Sequence, residues 1–424
     1  MAPDAGETKP TPALFNLGRE HPLNPVKRFR VLLISHSYPP VLGGSEIEAQ
    51  RISAALLRRG HQVTVLCAGG SPMPDVPRWI DPAGVPVRIF GRSVSGRWRD
   101  YAYASGVVRT LVAERKNYDV VYFLMQGLHL ALGLPVARWL RKPILMKISG
   151  SDIIRMLQTS RMGRLELRWL AQWAHRVMIL NPGMADEAIE AGFEESRLFW
   201  MPNPVDAERY KPCPVEERAS LRARLGVPAQ TRVVVFTGRL APEKELNSLI
   251  EAFSLACRSA PNALLVLVGD GPKRAELEAL TRRLGLDGQI RFTGRLPESE
   301  AREWLQASDL FALVSSAEGF SCSLVEAMAT ALPCVVSNIP ANAQLIDCGV
   351  HGLLAPVRDI ESIAGALTSL LCDGAARMEM GSAGRQRVLN HYTTEKVIAR
   401  YEDLIADALE TAHHSRSRRT ARAG

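Results

Sequence analysis

Long apolar runs are missing from this chain: none reaches the roughly 18 to 20 uncharged residues needed to span a bilayer, which excludes an organisation around membrane-spanning helices. The opening MAPDAGETKPTP has no basic stretch followed by an apolar one, so it does not read as a secretory signal and is expected to be disordered. Cysteine is sparse, seven in 424 residues, with no Cys-x-x-Cys. That argues against a disulfide framework or a zinc site and fits a reducing cytoplasm, with the thiols as small core residues. There is also no Asp-x-Asp, so a cation bridging a diphosphate through paired carboxylates lacks its usual sequence sign.

What is present points to a soluble globular protein, 46% hydrophobic and 23% charged. At 424 residues one hydrophobic core does not suffice, and two or three domains are expected. The net charge of +8 is uneven: residues 1–200 hold 26 Lys and Arg against 17 Asp and Glu, while 201–424 hold 26 against 27. The excess concentrates at 87–116, with seven basic and two acidic residues. Such a segment is either a solvated face or one that meets anionic lipid or an acidic acceptor. The closing HHSRSRRTARAG reads as a basic, disordered tail.

Short β-branched runs alternate with helical periodicity from end to end, the pattern of parallel strands covered by helices. FRVLLIS, QVTVLC, DVVYF, PILMKI, RVMIL and LFWM read as strands in the first half, and RVVVFT, ALLVLV, QIRF, DLFALV and PCVVS in the second. Between them Leu246, Leu249, Ile250 and Phe253 mark the buried face of a helix. Eleven or so strands exceed one twisted open sheet, so the fold class is α/β with two doubly wound domains. The boundary falls in MPNPVDAERYKPCP, whose four prolines break any regular element.

Two places carry candidate chemistry. Gly43 and Gly44 lie between the first strand and a helix, where glycines let backbone approach a ligand and helix N–H groups favour an anion. The pair is not Gly-x-Gly-x-x-Gly, so a dinucleotide site is not supported. In the second half Arg239 lies just past a strand end and Lys244 near a helix start, at the carboxyl edge where open α/β sheets bind ligands. They read as a diphosphate clamp, with a Lys/Glu pair on a helix surface as the bland alternative for Lys244. AEGFSCSLVEAMA then sets Glu318 and Glu326 either side of a Gly-Phe-Ser turn. Ser323 to Glu326 has the form of a capping box, which would make Glu326 structural.

In order along the chain stand Gly-Gly-Ser-Glu, Arg-Gly-His-Gln-Val-Thr-Val at 59–65, Pro-Asn-x-Val-Asp at 202–206, Gly-Arg-Leu-x5-Leu from 238, Gly-Asp-Gly-Pro at 269–272, and Glu-x7-Glu. In this series the chain resembles glycosyltransferase family 4 over roughly 29–405. The resemblance implies a GT-B fold, two Rossmann-like domains facing across a cleft, and sugar transfer from a nucleotide-diphosphate sugar with retention, needing no metal and no cofactor. With the composition and proline readings above, the expected division is a disordered segment at 1–25, an acceptor domain at 26–201, a linker at 202–212, a donor domain at 213–390, a helix that the resemblance implies crosses back to the first domain at 391–412, and a basic disordered tail at 413–424. It also implies that Arg239 and Lys244 hold the diphosphate, with Gly44 touching the same group from the other domain. Glu318 would hold sugar hydroxyls with the N–H groups of Gly319, Phe320 and Ser321, and Glu326 the ribose.

The chain departs from the family pattern where histidines are common: Tyr122, Leu124 and Ser149 stand there, and none can do the work of an imidazole. His129 is a candidate substitute or else a structural residue, and Asp152 is another polar candidate. Pro204 replaces a linker glycine and would stiffen the hinge. LELRWLAQWAHRV, preceded by Ile153, Ile154, Met156 and Leu157, reads either as an interfacial helix or as a packed one. The expected partners are a nucleotide sugar, a glycan or lipid-linked acceptor in glycan, polysaccharide or glycolipid assembly, and an anionic membrane touched peripherally from the cytoplasm; nucleic acid is not among them. Two competing readings are a silent nucleotide-sugar-binding partner subunit and a sugar-nucleotide epimerase.

Overall fold

The computed structural model describes residues 28–41, 44–124, 127–148, 150 and 153–420, with side chains as far as 412. Gly43, Ser149, Asp152 and the 1–25 segment lie outside the described residues. By chain contacts the protein divides into two compact units, Met1–Pro202 with Val397–Gly424, and Asn203–Lys396.

The first unit is built on eight strands: β1 (Arg30–Ser35), β2 (Gln62–Ala68), β3 (Arg78–Ile80), β4 (Pro86–Phe90), β5 (Val120–Leu124), β6 (Ile144–Lys147), β7 (Arg176–Ile179) and β8 (Leu198–Trp200). They lie in the order β3-β4-β2-β1-β5-β6-β7-β8, all parallel except the β3–β4 pair. The second unit has β9 (Arg232–Thr237), β10 (Ala263–Val268), β11 (Ile290–Gly294), β12 (Leu310–Leu313), β13 (Cys334–Ser337) and β14 (Gly352–Ala355), in the parallel order β11-β10-β9-β12-β13-β14. Both are doubly wound sheets. Their near-continuous burial, with every residue of β5 and of β10 buried, follows from helices on both faces and explains the unbroken Val/Leu runs.

Leu246, Leu249, Ile250 and Phe253 are buried on one stripe of the helix Leu246–Ala256, as their spacing predicts. The last helix, Thr394–Thr420, buries Val397, Ile398, Tyr401, Leu404, Ile405 and Ala408 in the same apolar cluster as Val31, Leu33, Val63, Val65 and Tyr122 of the first sheet. Residues 413–420, expected as disordered tail, continue this helix. All seven cysteines are free, but Cys348 and Cys372 are exposed, so the expectation that they fill the core holds only for Cys67, Cys257 and Cys334. No helix of the described residues is long and apolar enough to cross a membrane.

Candidate functional site

In each sheet the strand order reverses at one point, between β1 and β5 in the first unit and between β9 and β12 in the second. Loops leaving the carboxyl ends of such a pair diverge to opposite faces and leave a crevice. In the second unit the loop after β9 carries Arg239 and Lys244, and the loop after β12 carries Glu318.

The structure brings Lys244 and Glu318 together. Lys244 Nζ donates to Glu318 Oε1 at 2.6 Å, and Ser315 Oγ donates to the same oxygen at 2.7 Å. Both side chains are mostly buried, 17% and 12% exposed. Among the described residues nothing donates to Glu318 Oε2, so one carboxylate oxygen keeps its capacity for a further donor. The Ser316 N–H donates to the Glu243 carbonyl at 2.9 Å and ties the two loops side by side. Arg239 sits apart from that pair: it is 68% exposed and bonded to Glu243 at 2.8 Å. Lys244 itself belongs to a 3-10 turn, Pro242–Lys244, and the helix begins only at Leu246, after Glu245 in the left-handed region at φ 50°.

Backbone packing fixes this loop. Gly238 N–H donates to the Val268 carbonyl, Leu240 N–H to Asp270 and Lys273 N–H to Leu240, each at 3.0 Å. A Cβ on Gly269 would stand 1.8 Å from the Gly238 oxygen, and one on Gly271 would stand 2.4 Å from the Leu240 oxygen. The Gly-Arg-Leu and Gly-Asp-Gly-Pro motifs are thus the two halves of one close contact, which only glycine permits.

The capping-box reading of Ser323 and Glu326 is overturned. The helix is Cys322–Ala329 with Ser321 as its N-cap residue, so Ser323 is already helical and Glu326 lies in the second turn, beyond reach of the orphan N–H groups. Ser321 does not cap with its side chain either; its hydroxyl donates to Asn342 Oδ1 at 2.6 Å, and Asn342 in turn donates to Ser337. Ser321 is thereby fixed in the buried wall behind the turn, Phe320 is buried against the Tyr392 ring at 6.3 Å, and Glu326 is half-buried on the same helix.

In the first unit, Gly44 opens the helix Gly44–Arg58, and a Cβ there would meet nothing within 4 Å. Nothing inside the described chain requires glycine at that place. Tyr122 does not face an open site: it is buried, with its hydroxyl 3.3 Å from that of Tyr401. Lys147 is buried on β6, donates to Glu48 and lies 3.3 Å from the Tyr401 hydroxyl. His129 is buried on the helix Leu128–Trp139, against the rings of Tyr103 at 5.0 Å and His36 at 6.1 Å.

Two groups beside it are absent from the sequence-derived candidates. His36, just past β1, is 3.1 Å from Asp100. Glu166 is buried on the helix Arg161–Trp173, and among the described residues its Oε1 has no hydrogen-bond partner. Burial pushes its carboxyl up to about 7, opposed only in part by the Gly127 N–H. The signal was available: Glu166 shares with Gly163, Leu167 and Leu170 the i, i+3, i+4, i+7 stripe of its helix, so a carboxylate was due to be buried there.

Two family models match the chain: "Glycosyl transferase 4-like domain" over residues 43–204 and "Glycosyl transferases group 1" over residues 217–387. Among curated proteins it is 23% identical to the N-acetyl-alpha-D-glucosaminyl L-malate synthase of Bacillus anthracis, over 87% of this chain and 95% of that protein. It is 26% identical to a GDP-mannose-dependent alpha-(1-6)-phosphatidylinositol monomannoside mannosyltransferase of Mycobacterium tuberculosis, over 89% and 98%. Among solved structures it superposes on Anabaena Alr3699/HepE in complex with UDP and glucose with a TM-score of 0.75 at 23% identity, covering 89% of this chain and 100% of that one. For WaaG, a glycosyltransferase involved in lipopolysaccharide biosynthesis, the TM-score is 0.65 at 20% identity, over 88% and 99%. The fold is GT-B.

Proposed function

Because the chain belongs to the group 1 glycosyl transferases and is a nucleotide-sugar-dependent glycosyltransferase, we propose that it moves a sugar to an acceptor hydroxyl with retention at the anomeric carbon and without a metal ion. The observation that carries the reading is the Lys244–Glu318 pair at the switch point of the second sheet. When a donor binds, the ammonium turns to the diphosphate, and Glu318 exchanges that partner for sugar hydroxyls, which its Oε2 already has room to accept. Arg239, exposed and free to swing from Glu243, adds a second cation to the diphosphate. Glu326, no longer a helix cap, is assigned to the ribose, and the Gly319, Phe320 and Ser321 N–H groups to the sugar. The open space beside Gly44 supports close approach of an anion to that backbone.

In the transfer step the bond from the anomeric carbon to the diphosphate oxygen breaks, and the bond to the acceptor oxygen forms on the same face. The acceptor's proton passes to the departing diphosphate, so no separate base is required, and Lys244 and Arg239 neutralise the charge that develops. Removing one such donor typically costs about 3 kcal/mol of transition-state stabilisation. Purified Lys244→Ala and Glu318→Ala are therefore expected to hydrolyse UDP-glucose or GDP-mannose on the order of 100-fold more slowly than wild type. Rates within threefold of wild type would sink the assignment. Glu326→Gln is expected to weaken nucleotide binding while leaving the melting temperature unchanged.

The acceptor we infer to be a glycan or lipid-linked molecule met at an anionic membrane surface. Three helices of the first unit pack side by side, Gly96–Ala113 on Leu128–Trp139 and the latter on Arg161–Trp173. They leave Trp98 75%, Trp139 72% and Met162 61% exposed, with Arg97, Arg138, Arg161, Arg164 and Arg168 exposed among them. Exposed indoles beside arginines match an interface that is apolar below and anionic above. Flotation with vesicles containing phosphatidylglycerol, and none with phosphatidylcholine alone, is the expected result; equal behaviour with both removes the inference.

A further inference from the structure

The amino-terminal edge of the second sheet carries a different charged cluster. Asp309, buried just before β12, accepts the Val233 N–H at 2.8 Å, Arg218 at 3.0 Å and Arg222 at 3.2 Å, and Arg232 stands 3.8 Å away. Burial alone would raise this carboxyl, but the Val233 N–H and Arg218 bring it below its ordinary value. Arg222 is buried and also donates to the Ala307 and Thr231 carbonyls, which pins the helix Val215–Arg224 to the sheet. Arg218 and Arg222 therefore satisfy Asp309 by themselves. The Arg232 guanidinium donates no hydrogen bond among the described residues, and Arg377, whose Nη1 is bonded to the Leu370 and Leu371 carbonyls, is added from the helix Gly374–His391. The Arg377 guanidinium is lowered from its ordinary value by burial and next by the charge of Arg232.

Arg218, Arg232 and Arg377 line a cavity of about 430 Å³, with Asp309 as the one carboxylate in its wall. Counting Arg222, which also pairs with Asp309, four cations meet two anions, Asp309 and Asp373, and leave two positive charges uncompensated. Asp373 caps the Ala375 and Ala376 N–H groups and keeps its charge, which favours the Arg377 cation, while Glu217 is not part of the wall. Helix carboxyl ends oppose an anion: Arg218, Arg222 and Arg377 donate to carbonyls of two of them, Glu298–Ala307 and Ile360–Cys372, and the third is that of Cys322–Ala329. There Thr330, which lines the cavity, turns its N–H and hydroxyl back onto the Glu326 carbonyl and shields it. Arg377 also holds the carbonyl end of the helix Ile360–Cys372, and Arg232 pairs loosely with Asp309, but the repulsion between these two guanidinium groups is unfavourable without a ligand.

We propose that this cavity binds the phosphate group of a small phosphorylated molecule. A dianionic phosphate matches the surplus of two charges, guanidinium forks fit its oxygens, and the volume falls in the range of small-ligand sites. The cavity is distinct from the Lys244–Glu318 site: it lies at the opposite ends of β9 and β12, and the six residues of β9 at ~3.3 Å each set the two about 20 Å apart.

The test is isothermal titration of the full chain at constant ionic strength with inorganic phosphate, a hexose monophosphate and the neutral hexose. Wild type is expected to bind both phosphates, the hexose phosphate at least as tightly, and not the hexose. Arg232→Gln, which breaks no hydrogen bond, and Arg377→Gln are expected to weaken binding tenfold or more, and Lys244→Ala to leave it unchanged. Absence of binding to wild type, exclusion of the hexose phosphate, or loss in Lys244→Ala with retention in Arg232→Gln would each overturn the proposal. Should Arg377→Gln fail to fold, Arg232→Gln decides alone.

Discussion

Glu166→Gln tests the reading of the first unit through its stability. In the folded chain the carboxyl titrates at about 7 against an ordinary 4.5, because burial disfavours the anion. At ~1.4 kcal/mol per pH unit, that separation is worth about 3 kcal/mol. The sign follows from linkage: a carboxyl raised by folding is still protonated in the native state after the unfolded chain has ionised. Its stabilising contribution is complete below pH 4.5 and is lost as pH rises to about 7. His175 runs the other way, held down at about 4 by burial and then by Arg138, Arg176 and Arg197, so its contribution grows up to its ordinary 6.5. The two nearly cancel in wild type, and the informative quantity is the difference between variant and wild type. Glutamine cannot ionise, but its amide meets the same wall that leaves Oε1 without a partner, at a cost of about 1 to 2 kcal/mol. Relative to wild type the variant is expected to be less stable at pH 5 and more stable by about 1 to 2 kcal/mol at pH 8. Urea unfolding followed by tryptophan fluorescence reports this unit, since six of the seven tryptophans lie in it. A difference that stays flat from pH 5 to 8 would refute a buried, neutral Glu166.

Two further perturbations separate structure from chemistry. Lys147→Met leaves Glu48 buried without its cation and is expected to cost about 3 to 5 kcal/mol in urea unfolding, whereas Lys147→Met with Glu48→Leu recovers most of it; a double variant no better than the single would contradict the pairing. Gly269→Ala drives a methyl into the Gly238 carbonyl and is expected to destabilise the second unit by about 4 kcal/mol or more, seen as a lowered calorimetric transition.

Eleven of the fourteen strands are legible as β-branched runs, and the three that are not share a cause. β3 is only Arg-Trp-Ile, β4 opens on a proline, and β14 opens on a glycine. Each is short and lies at or beside a sheet edge, where the continuous apolar signal of a strand covered on both faces is lost. The same reasoning applies to the site. That loops after β9 and β12 converge follows from parallel-strand topology, so Lys244 and Glu318 were recognisable as neighbours in kind. That they neutralise each other, and that Arg239 is held by Glu243 instead, depends on side-chain geometry that no spacing encodes. Tyr122, which stands where the family pattern has a histidine, is on the strand face that points into the cluster burying the last helix.

The motifs therefore divide by what they do. Glycines 269 and 271 let the loop after β10 lie against the Gly238 and Leu240 carbonyls. That contact holds the backbone from which Arg239 and Lys244 project, and the Ser316 to Glu243 hydrogen bond then places Glu318 opposite. A cation meant to meet a diphosphate has to be poised without being committed. In the proposed function its partner before donor binding is one that substrate hydroxyls can replace, and the Lys244–Glu318 pair would have that property because the displaced carboxylate is the group proposed to hold the sugar. The arginine cluster at the other end of the same strands has no such exchange available within the chain. Arg218 and Arg222 hydrogen-bond Asp309, Arg232 pairs with it only at 3.8 Å, and the cavity wall holds no second carboxylate, so the proposed phosphate supplies the remaining negative charge from solution.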